Sequence, residues 1–559
     1  MLFWPILIGA IVCLILAISG DDDKIGSIIQ VIKIIALIIG IATIALTHPM
    51  HADELHDIPN VTVISNSSGV NILDQIDNKH IREVDIDLAF SLAQNIMGTK
   101  DNLGSIYQVD KDELHIQIIN GHEFWIAPLE FQNYWRWSAK KTSPGFIMVD
   151  AEDAFAEAQM YTGYDMKYMP SAYFSKYLLR HVYSQGYTNV KLEDFTFEVT
   201  DELYPYWTIT TTKPTINNDG YVLNSLLIVD PITGEINEHL AGELPEWTDR
   251  FMPERVAINY VSWYGAYSIS WWNAKGFINS IKEDVNVLTS VSQRDSFDKK
   301  EMFFVYGSDG EPYWFSGLTS PSSADQSLTG IVLVAVREPN TIIHIKMTGA
   351  NEQAALDTVN SKYTNFPDRY GTAVIPHGIY GELTYIIPID SHTSSGNVFQ
   401  EIGFVNAKTK HAVVRPTQEE AMAEYKSYLA ERNIHKALTS GSTDKMLNAT
   451  VERIGATALS GKSSYRLWLN NSNAIFSVSP ALFPVVVVTQ PDDIISISYA
   501  DTEDTVLEVN AFTNHNVTVR IGIDQIELDR ETANLTQKKE TNWDKQQELD
   551  DELAILRGQ

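Results

Sequence analysis

Two long apolar runs open the chain, and each is long enough to cross a lipid bilayer. Residues 2–19 are 18 consecutive positions without a charged side chain, and residues 25–47 are 23 positions interrupted only by Lys33. A hydrocarbon core of ~30 Å needs about 20 helical residues at ~1.5 Å each. The pattern therefore predicts a transmembrane helical hairpin over residues 1–47. A cleaved signal peptide is the alternative for the first run, but no basic segment precedes it.

The distribution of basic residues sets the expected topology. Lys24 lies in the short loop between the runs, and no Lys or Arg follows the second run until Lys79. Because basic loops stay in the cytoplasm, this pattern favours a membrane protein whose N-terminus and main body are extracytoplasmic. Lys33 is interpreted as a side chain that reaches back to the interface, with a functional charge in the membrane as the alternative. The lipid bilayer is thus an expected partner, and a reversed topology stays open.

Beyond this region, strand-like and helix-like patterns alternate along the chain. Aromatic-rich segments with alternating apolar and polar positions predict strands at residues 122–130, 204–212, 311–319 and 382–390. Capping residues and apolar or alanine positions at helical spacing predict helices at residues 150–163, 170–186, 349–363 and 417–431. The short connections between them predict an α+β fold of antiparallel sheet-plus-helix modules rather than a parallel wound sheet.

The segment LLIVDPITGEINEH, residues 226–239, raises the question of whether a polar cluster is a binding loop or a turn. Asp230, Thr233 and Glu235 lie close together, and Gly234 separates the last two. The flanking residues have strand patterns, and a glycine at this place adopts the left-handed conformation of a tight turn. The pattern therefore predicts a hairpin corner.

The same corner resembles a motif of PepSY-type modules. The resemblance covers residues 151–239 and is carried by Tyr204, Trp207, Val229, Asp230, Gly234 and Glu235. A weaker second copy covers residues 349–414, where Asn406 and Lys410 replace the usual Asp and Gly. The resemblance implies a helix packed on a small antiparallel sheet, with this hairpin as its last two strands. It also implies an envelope-exposed protein that binds or restrains other proteins, peptidases included.

The C-terminal part of the chain has a different pattern. Short strand patterns separated by turn residues predict a small β-barrel that resembles an OB-fold, followed by a polar helical tail. Leucines on a seven-residue grid in the tail leave a weak coiled coil, and with it a homo-oligomer, as an alternative. The predicted domains are two transmembrane helices (1–47), a linker (48–60), a first α+β module (61–150), a PepSY-like module (151–300), a second PepSY-like α+β module (301–440), the barrel (441–522) and the tail (523–559).

Charge and cysteine content exclude several classes of function. The net charge of −31 and the pI near 4.7 repel phosphate backbones, so we expect no nucleic-acid partner. The single cysteine, Cys13, lies in the first apolar run. The rest of the chain therefore has no disulfide, no zinc–thiolate site and no cysteine nucleophile.

No stretch of the sequence carries a complete catalytic or cofactor motif. Residues 455–464 approach a phosphate-binding loop, but five residues rather than four separate the glycines, and a strand pattern follows. The hydroxyl-rich loop at residues 317–327 contains Asp325 without an identifiable base. The linker is dense enough in possible ligands to raise a divalent metal site as an alternative to a polar connection, through His48, His51, Asp53, Glu54, His56 and Asp57. We predict no catalytic, cofactor-binding or metal-binding residue.

These patterns predict a membrane-anchored, extracytoplasmic protein that binds or scaffolds other proteins and has no evident catalytic site. Recognition would use sheet edges and aromatic-rich faces of the modules, and no cofactor is expected. One alternative is a structural component of a membrane-associated assembly. The other is an envelope hydrolase, which a pair of carboxylates with shifted pKa values in a pocket would favour.

Overall fold

The computed structural model shows a chain that is mostly β. It describes residue 30 and residues 32–40, 48–65, 80–99, 103–216, 219–276, 282–292, 299–307, 309–322, 326–379, 381–393, 396–431, 445–459, 462–480, 483–499 and 506–517. Strands make up 44% of these residues and helices 24%, and the strands form several small sheets. The predicted α+β fold is therefore wrong, because most of the expected helical segments are short or replaced by strands.

The prediction of two transmembrane helices is also wrong. No helix in the described part of the chain is both long enough and apolar enough to cross a bilayer. Residues 2–19 lie outside the described residues, and the second apolar run is described only at Gln30 and at residues 32–40. The finding contradicts the membrane location that was inferred from the two runs. The predicted helical tail, residues 523–559, lies outside the described residues.

The chain divides into two compact units, unit 1 (residues 1–443) and unit 2 (residues 444–559). The finer division into seven predicted domains stays a prediction. The strands in the first half of unit 1 are β1 (Asn60–Ser65), β2 (Tyr107–Gln108), β3 (His115–Ile119), β4 (His122–Pro128), β5 (Glu130–Phe131), β6 (Ser143–Asp150), β7 (Gln159–Met166), β8 (Lys191–Val199), β9 (Pro205–Ile216), β10 (Asp219–Val229) and β11 (Ile236–His239). Residues 32–40 are helical, and the further helices described there are α1 (Ala52–His56), α2 (Ile86–Thr99), α3 (Tyr134–Lys140) and α4 (Leu178–Ser184).

The described segments in the second half of unit 1 contain further strands and helices. The strands are β12 (Val287–Leu288), β13 (Val291–Ser292), β14 (Lys299–Lys300), β15 (Phe303–Tyr306), β16 (Pro312–Thr319), β17 (Ser327–Leu328), β18 (Gly330–Ala335), β19 (Thr341–Lys346), β20 (Gly349–Ala350), β21 (Arg369–Gly371), β22 (Ile375–Ile379), β23 (Glu382–Thr393), β24 (Gly396–Asn406) and β25 (Ala412–Arg415). The helices are α5 (Glu254–Ala266), α6 (Trp271–Ala274), α7 (Glu352–Asn360) and α8 (Gln418–Glu431).

The predicted helix at residues 150–163 is a turn followed by β7. The carboxylate of Asp150 accepts hydrogen bonds from the backbone N–H groups of Glu152 (2.8 Å) and Asp153 (3.2 Å). Such local hydrogen bonds occur both at helix N-caps and in turns, so they are compatible with either structure. The residues that follow pair with β6, so cross-strand pairing outweighs the weak helical pattern of the alanines.

The largest sheet of unit 1 has six strands, in the order β1-β19-β18-β16-β12, with β15 also paired to β16. β16 and β18 are buried along their whole length. Their continuous apolar sequence is typical of strands that are covered on both faces. β1 pairs in parallel with β19, so residues 60–65 lie beside residues 341–346 and form the edge strand of the sheet.

Two antiparallel meander sheets resemble each other in order. The first meander sheet runs β8-β9-β10-β11. The second meander sheet runs β21-β23-β24-β25, with β22 also paired to β23. A further sheet, β3-β4-β6-β7, joins the first meander sheet through Gln117, whose side chain bonds to both the N–H and the carbonyl of Val199 at 3.0 and 2.8 Å.

Unit 2 contains a closed five-stranded barrel. Its strands are β26 (Lys445–Leu459), β27 (Lys462–Leu469), β28 (Ile475–Val478), β29 (Ile494–Tyr499) and β30 (Val506–Asn514). They pair in the order β26-β27-β28-β30-β29, with β28 and β30 parallel. The inward positions are apolar and fully buried, as at Val451, Leu467, Phe476 and Ile495. A closed barrel of this kind leaves no unpaired sheet edge in its wall.

Candidate functional site

A cavity of about 690 Å³, here called the cleft, lies inside unit 1 where several sheets meet. Its walls come from β3, β4, β8, β15, β16 and β22, from the start of α5, and from the segment that precedes α2. Ligand sites in proteins commonly have volumes of about 300–1,000 Å³. These walls are distant in sequence, so only the tertiary fold brings their side chains together.

Arg82 is the most firmly held cation of the cleft. Its Nε donates to Oε2 of Glu123 at 2.9 Å, and a terminal nitrogen donates to the carbonyl of Phe304 at 3.3 Å. Both side chains of the ion pair are more than nine-tenths buried, with 9% and 4% exposed. Since a buried pair compensates its own charge, Arg82 contributes mainly to the shape of the wall.

Arg250 has hydrogen-bonding capacity that the protein does not use. Its guanidinium carbon lies 4.3 Å from the ring centre of Phe304 and 5.2 Å from that of Trp314. Its Nε is buried and has no hydrogen-bond partner among the described residues. A buried donor without a partner is unfavourable by about 1–3 kcal/mol. An acceptor on a ligand would remove that cost.

Lys300 places a further positive charge in the cleft. Burial lowers the pKa of its ammonium group, Arg250 and Arg82 lower it further, and Glu254 and Asp85 act in the opposite direction. The repulsion shows that three cations lie within electrostatic range of one another. The described lining as a whole carries as many acidic as basic side chains, so these cations are close together without being in excess. A bound anion would reduce the repulsion.

Helix α5 begins at the cleft and points its N-terminus toward it. Pro253 occupies the cap position, and its side chain makes no capping hydrogen bond. Helix N-termini carry a partial positive charge of about +0.5 and are common anion sites. Glu254 in the first turn offsets part of that charge. The N-terminus of α5 therefore adds a small positive potential to that of the basic side chains.

Five acidic residues line the cleft, and burial or ion pairing reduces the charge of three of them, Asp85, Asp194 and Glu193. Burial, together with the neighbouring Asp87, raises the pKa of Asp85 to about 6. The N–H of Leu88 donates to the Asp85 carboxylate at 2.8 Å and acts in the opposite direction. Glu193 is engaged in an ion pair with Arg255. These interactions reduce the negative charge that competes with an anionic ligand.

His115 contributes a neutral imidazole to the lining. Burial and the nearby Arg250 hold the pKa of His115 well below its ordinary value. Its Nε2 is buried and lacks a hydrogen-bond partner within the described segments. A neutral imidazole can donate or accept one hydrogen bond at such a position. His115 therefore adds a polar contact point without adding charge.

The chemistry of the lining is suited to binding. It combines cations, a neutral imidazole and aromatic rings, which together recognise a carboxylate or phosphate attached to an apolar group. No serine or cysteine is present among the described lining residues. Thr372 is the hydroxyl-bearing residue among the described lining residues.

The histidines of the predicted linker have separate partners. His48 contacts the carboxylate of Asp219 at 2.6 Å. His51 and His56 each contact a carboxylate in their own segment, at 2.9 and 3.0 Å. Within the described residues, these side chains do not form a common group of metal ligands. The metal alternative that the sequence raised for this segment has no support from their arrangement.

The segment at residues 226–239 is a hairpin corner, as the sequence predicts. The Asp230 carboxylate accepts hydrogen bonds from the N–H groups of Ile232 (2.7 Å) and Thr233 (3.1 Å). Gly234 has a φ of 83°, in the left-handed region. The polar side chains of the corner therefore stabilise the turn itself.

Sequence reasoning does not find the residues of the cleft. Arg250 and Lys300 lie 50 positions apart in the sequence, and their only common signal is an aromatic residue close by, in the segments DRF and KKEMFF. The described part of residues 455–464 lies in β26 and β27, in agreement with the rejected phosphate loop. Asp325 lies outside the described residues.

Comparison with known proteins gives no family for this chain. No family model matches it, and no curated protein matches it. It is similar at 8% identity and a TM-score of 0.13 to the Trypanosoma rangeli sialidase in complex with the inhibitor DANA, covering 78% of this chain and 58% of that one. The complex of the same sialidase with sialic acid gives 10% identity, a TM-score of 0.13, and coverage of 78% and 57%. The chain thus spans less than two thirds of these proteins, and similarity at this level carries no argument about fold or activity.

Proposed function

We propose that this protein is a non-catalytic binding protein whose cleft receives a carboxylate-bearing peptide segment of a protein partner. The observation that supports this most directly is Arg250, held over two aromatic rings with its buried Nε unpartnered among the described residues. A guanidinium group binds a carboxylate through two parallel hydrogen bonds. Lys300 supplies a second positive charge nearby.

A peptide fits the mixed lining better than an inorganic anion does. Trp125, Phe303 and Trp314 provide apolar surface for a side chain. Asp85 and Glu254 provide acceptors for the N–H groups that a peptide also carries. A volume of about 690 Å³ accommodates a few residues of an extended chain. The proposed ligand is therefore a short acidic segment with an adjacent apolar side chain.

The proposal is tested by fluorescence titration of the full chain with short peptides that contain Glu or Asp. Matched peptides carry Gln or Asn instead. Trp125 and Trp314 line the cleft and report occupancy. We expect the acidic peptides to bind at least about 10-fold more tightly, because a charge-assisted hydrogen bond contributes about 1.5–3 kcal/mol.

Two variants distinguish specific binding in the cleft from general electrostatic attraction of the peptide to the protein surface. Arg250→Lys keeps the charge but loses the planar pair of donors, so binding of acidic peptides should weaken by about 10-fold. Arg136→Lys on the exposed face of α3 is the matched control and should leave binding unchanged. Equal binding of acidic and amide peptides, or equal affinity in the two variants, would contradict the proposal.

A second candidate, a hydrolase, is favoured by one observation. The pKa of Asp85 is about 6 and that of Asp390 about 8, both raised first by burial, and Asp85 lines the cleft. Carboxyl groups with raised pKa values serve as general acids in hydrolases. Mass spectrometry of peptides incubated with the protein decides between the candidates. Cleavage that Asp85→Asn abolishes while peptide binding persists would favour the hydrolase.

A further inference from the structure

His80, His122 and Glu152 bring three potential metal ligands together outside the cleft. Nδ1 of His80 lies 2.9 Å from Oε1 of Glu152, and Nδ1 of His122 lies 3.5 Å from Oε2 of the same carboxylate. The ligand atoms of the three residues all lie within 4.8 Å of one another. His80 and Glu152 are 72 positions apart in sequence, so a local sequence motif does not predict the cluster.

Hydrogen bonds that involve the backbone connect the three segments that carry these residues. Glu152 follows β6, and its carboxylate accepts the N–H of Glu123 at 2.9 Å, next to His122 at the start of β4. The N–H groups of Glu83 and Val84 donate to the carbonyl of Ala151 at 2.9 and 3.0 Å. The segment that carries His80 is thereby attached to the turn that carries Glu152.

The spacing suits a tetrahedral transition-metal ion. Zn²⁺ bonds to imidazole nitrogen and carboxylate oxygen at about 2.0–2.2 Å, and ligand atoms at the corners of such a tetrahedron lie about 3.3 Å apart. The observed contacts of 2.9 and 3.5 Å go to the two different oxygens of Glu152, and one ligand atom from each residue lies within 4.8 Å of the others. The two imidazole rings are nearly perpendicular, at 88°, with centres 6.0 Å apart. Small rotations of exposed His122 would complete the set.

We propose that His80, His122 and Glu152 bind one divalent transition-metal ion of the Zn²⁺ class. Two imidazoles and one carboxylate are a common protein ligand set for zinc, and they leave a fourth position for water or another ligand. The side chain of His122 is 65% exposed, whereas those of His80 and Glu152 are 28% and 22% exposed. The metal therefore enters from the side of His122. The proposal is independent of the peptide-binding role of the cleft.

The test uses the full chain after treatment with a chelator and dialysis. Isothermal titration with Zn²⁺ alone should show a site with a stoichiometry of one that His122→Ala weakens by at least about 10-fold. Because His122 is mostly exposed, this variant should fold as the parent does. Titration with Co²⁺ should produce the visible absorption bands of a tetrahedral or five-coordinate complex, and Glu152→Gln should remove them.

His51→Ala is the matched control. His51 contacts the carboxylate of Glu54 at 2.9 Å, the same distance as in the His80 pair, but that pair belongs to no described group of three ligands. The control variant should keep the parent affinity for Zn²⁺. The proposal is overturned if the parent binds no Zn²⁺, if His122→Ala and Glu152→Gln bind it as the parent does, or if His51→Ala removes the site.

Discussion

Two hairpin corners in unit 1 have the same backbone hydrogen bonds although their sequences differ. The first, at residues 230–235, joins β10 to β11, and the second, at residues 406–411, joins β24 to β25. In the first, the N–H of Asp230 donates to the carbonyl of Glu235 at 2.9 Å, and the N–H of Gly234 donates to the carbonyl of Asp230 at 2.8 Å. In the second, the bonds at the corresponding positions are both 2.9 Å long.

The first side chain of each corner also has the same role. The Asp230 carboxylate accepts from the backbone N–H groups two and three residues further on, at 2.7 and 3.1 Å. The amide oxygen of Asn406 accepts from the corresponding N–H groups at 3.0 and 2.9 Å. An oxygen acceptor is what this turn requires, and both Asp and Asn supply it. The turn alone therefore does not decide between a charged and a neutral side chain.

Burial decides that choice. Asn406 is fully buried, and its amide nitrogen donates to the hydroxyl of Tyr425 at 3.0 Å. Asp230 is partly exposed, so its charge remains in contact with solvent. Since an ionised carboxylate without full compensation is unfavourable in the interior, the buried corner uses the amide. The comparison shows that a departure from a sequence motif can preserve its geometry.

The left-handed position of each corner depends on its neighbours. A Cβ added to Gly234, whose φ is 83°, would lie 2.4 Å from the ring of Tyr168. Lys410 has a φ of 58° and is exposed, so a side chain has room there. The first corner requires glycine for space as well as for conformation, and the second tolerates lysine at the cost of some backbone strain.

The bulges of the two meander sheets extend the contrast. The β9–β10 pairing shifts register at Ser225, whose hydroxyl bonds to Thr211 at 2.8 Å and to Glu238 at 2.6 Å. The β23–β24 pairing shifts at Asp390, whose two buried carboxylate oxygens have no hydrogen-bond partner among the described residues. The polar side chain at the first bulge thus has hydrogen-bond partners. The carboxyl group at the second bulge has none among the described residues, so we expect its ionisation to lower the stability of the folded state.

The largest expected effect is a weaker pH dependence of stability in Asp390→Asn, since other buried carboxyl groups such as Asp85 still titrate. Burial raises the pKa of Asp390 from 3.8 to about 8 in the folded protein. Between these two values the folded state binds the proton and the unfolded state does not, so the free energy of unfolding falls as pH rises, by up to about 1.4 kcal/mol per pH unit. The variant should therefore be more stable at pH 7 by an amount on the order of 3 kcal/mol.

Urea unfolding of both proteins at several values between pH 4 and pH 8, followed by tryptophan fluorescence, measures this difference. The advantage of the variant should shrink toward the acidic end, where the parent is protonated in both states. Parallel stability curves for the two proteins would show that Asp390 does not titrate in this window. The control is Ser225→Asn at the other bulge. The stability difference between this variant and the parent should not vary with pH, because neither serine nor asparagine ionises in this range.

The next effect is expected from exchanging the first side chains of the two corners. Asn406→Asp should lower stability by about 2 kcal/mol at pH 7, because it places a carboxylate in the interior. Asn406 also lowers the pKa of the nearby Glu382, and an aspartate in its place would repel that group. Asp230→Asn should change stability by less than about 0.5 kcal/mol, since it keeps the acceptor at a partly exposed site. Equal effects in urea unfolding would refute the role assigned to burial.

A loss of similar size is expected for Gly234→Ala. The substitution combines left-handed strain with displacement of Tyr168, whose hydroxyl accepts a hydrogen bond from Lys176 at 2.7 Å. We expect a loss of about 2 kcal/mol. Gly242→Ala is the control, because its φ is 85° but nothing lies within 4 Å of the added Cβ. If both variants lose the same stability, the contact with Tyr168 contributes nothing.

The smallest expected effect is a gain from Lys410→Gly. Glycine relieves the strain at a φ of 58° but adds conformational freedom to the unfolded chain, so the net gain should be about 0.5 kcal/mol. Thermal unfolding measures the corresponding rise in Tm. Lys408→Gly, an exposed residue of the same corner without positive φ, should lower the Tm. A fall in both variants would mean that Lys410 is not strained.

Local patterns in the sequence identify the hairpin corner at Asp230 and strands in the region that forms the barrel. Strand alternation and turn residues act over a few positions, and neighbouring residues satisfy most of the hydrogen bonds involved. The helix expected at residues 150–163 is wrong because pairing with β6 replaces a weak local preference. The predicted membrane hairpin is a further error. The prediction rested only on the apolar composition of two runs, and the described residues contain no helix able to span a bilayer.

The sequence by itself determined the acidic charge, the absence of thiol chemistry beyond Cys13, and the conformation of the corner that begins at Asp230. Only the tertiary structure decided which residues form the cleft and the cluster of His80, His122 and Glu152. It also decided that the corner at Asn406 needs an amide. The physical reason is that burial and electrostatic proximity depend on contacts between distant segments, whereas turn geometry depends on hydrogen bonds between near neighbours.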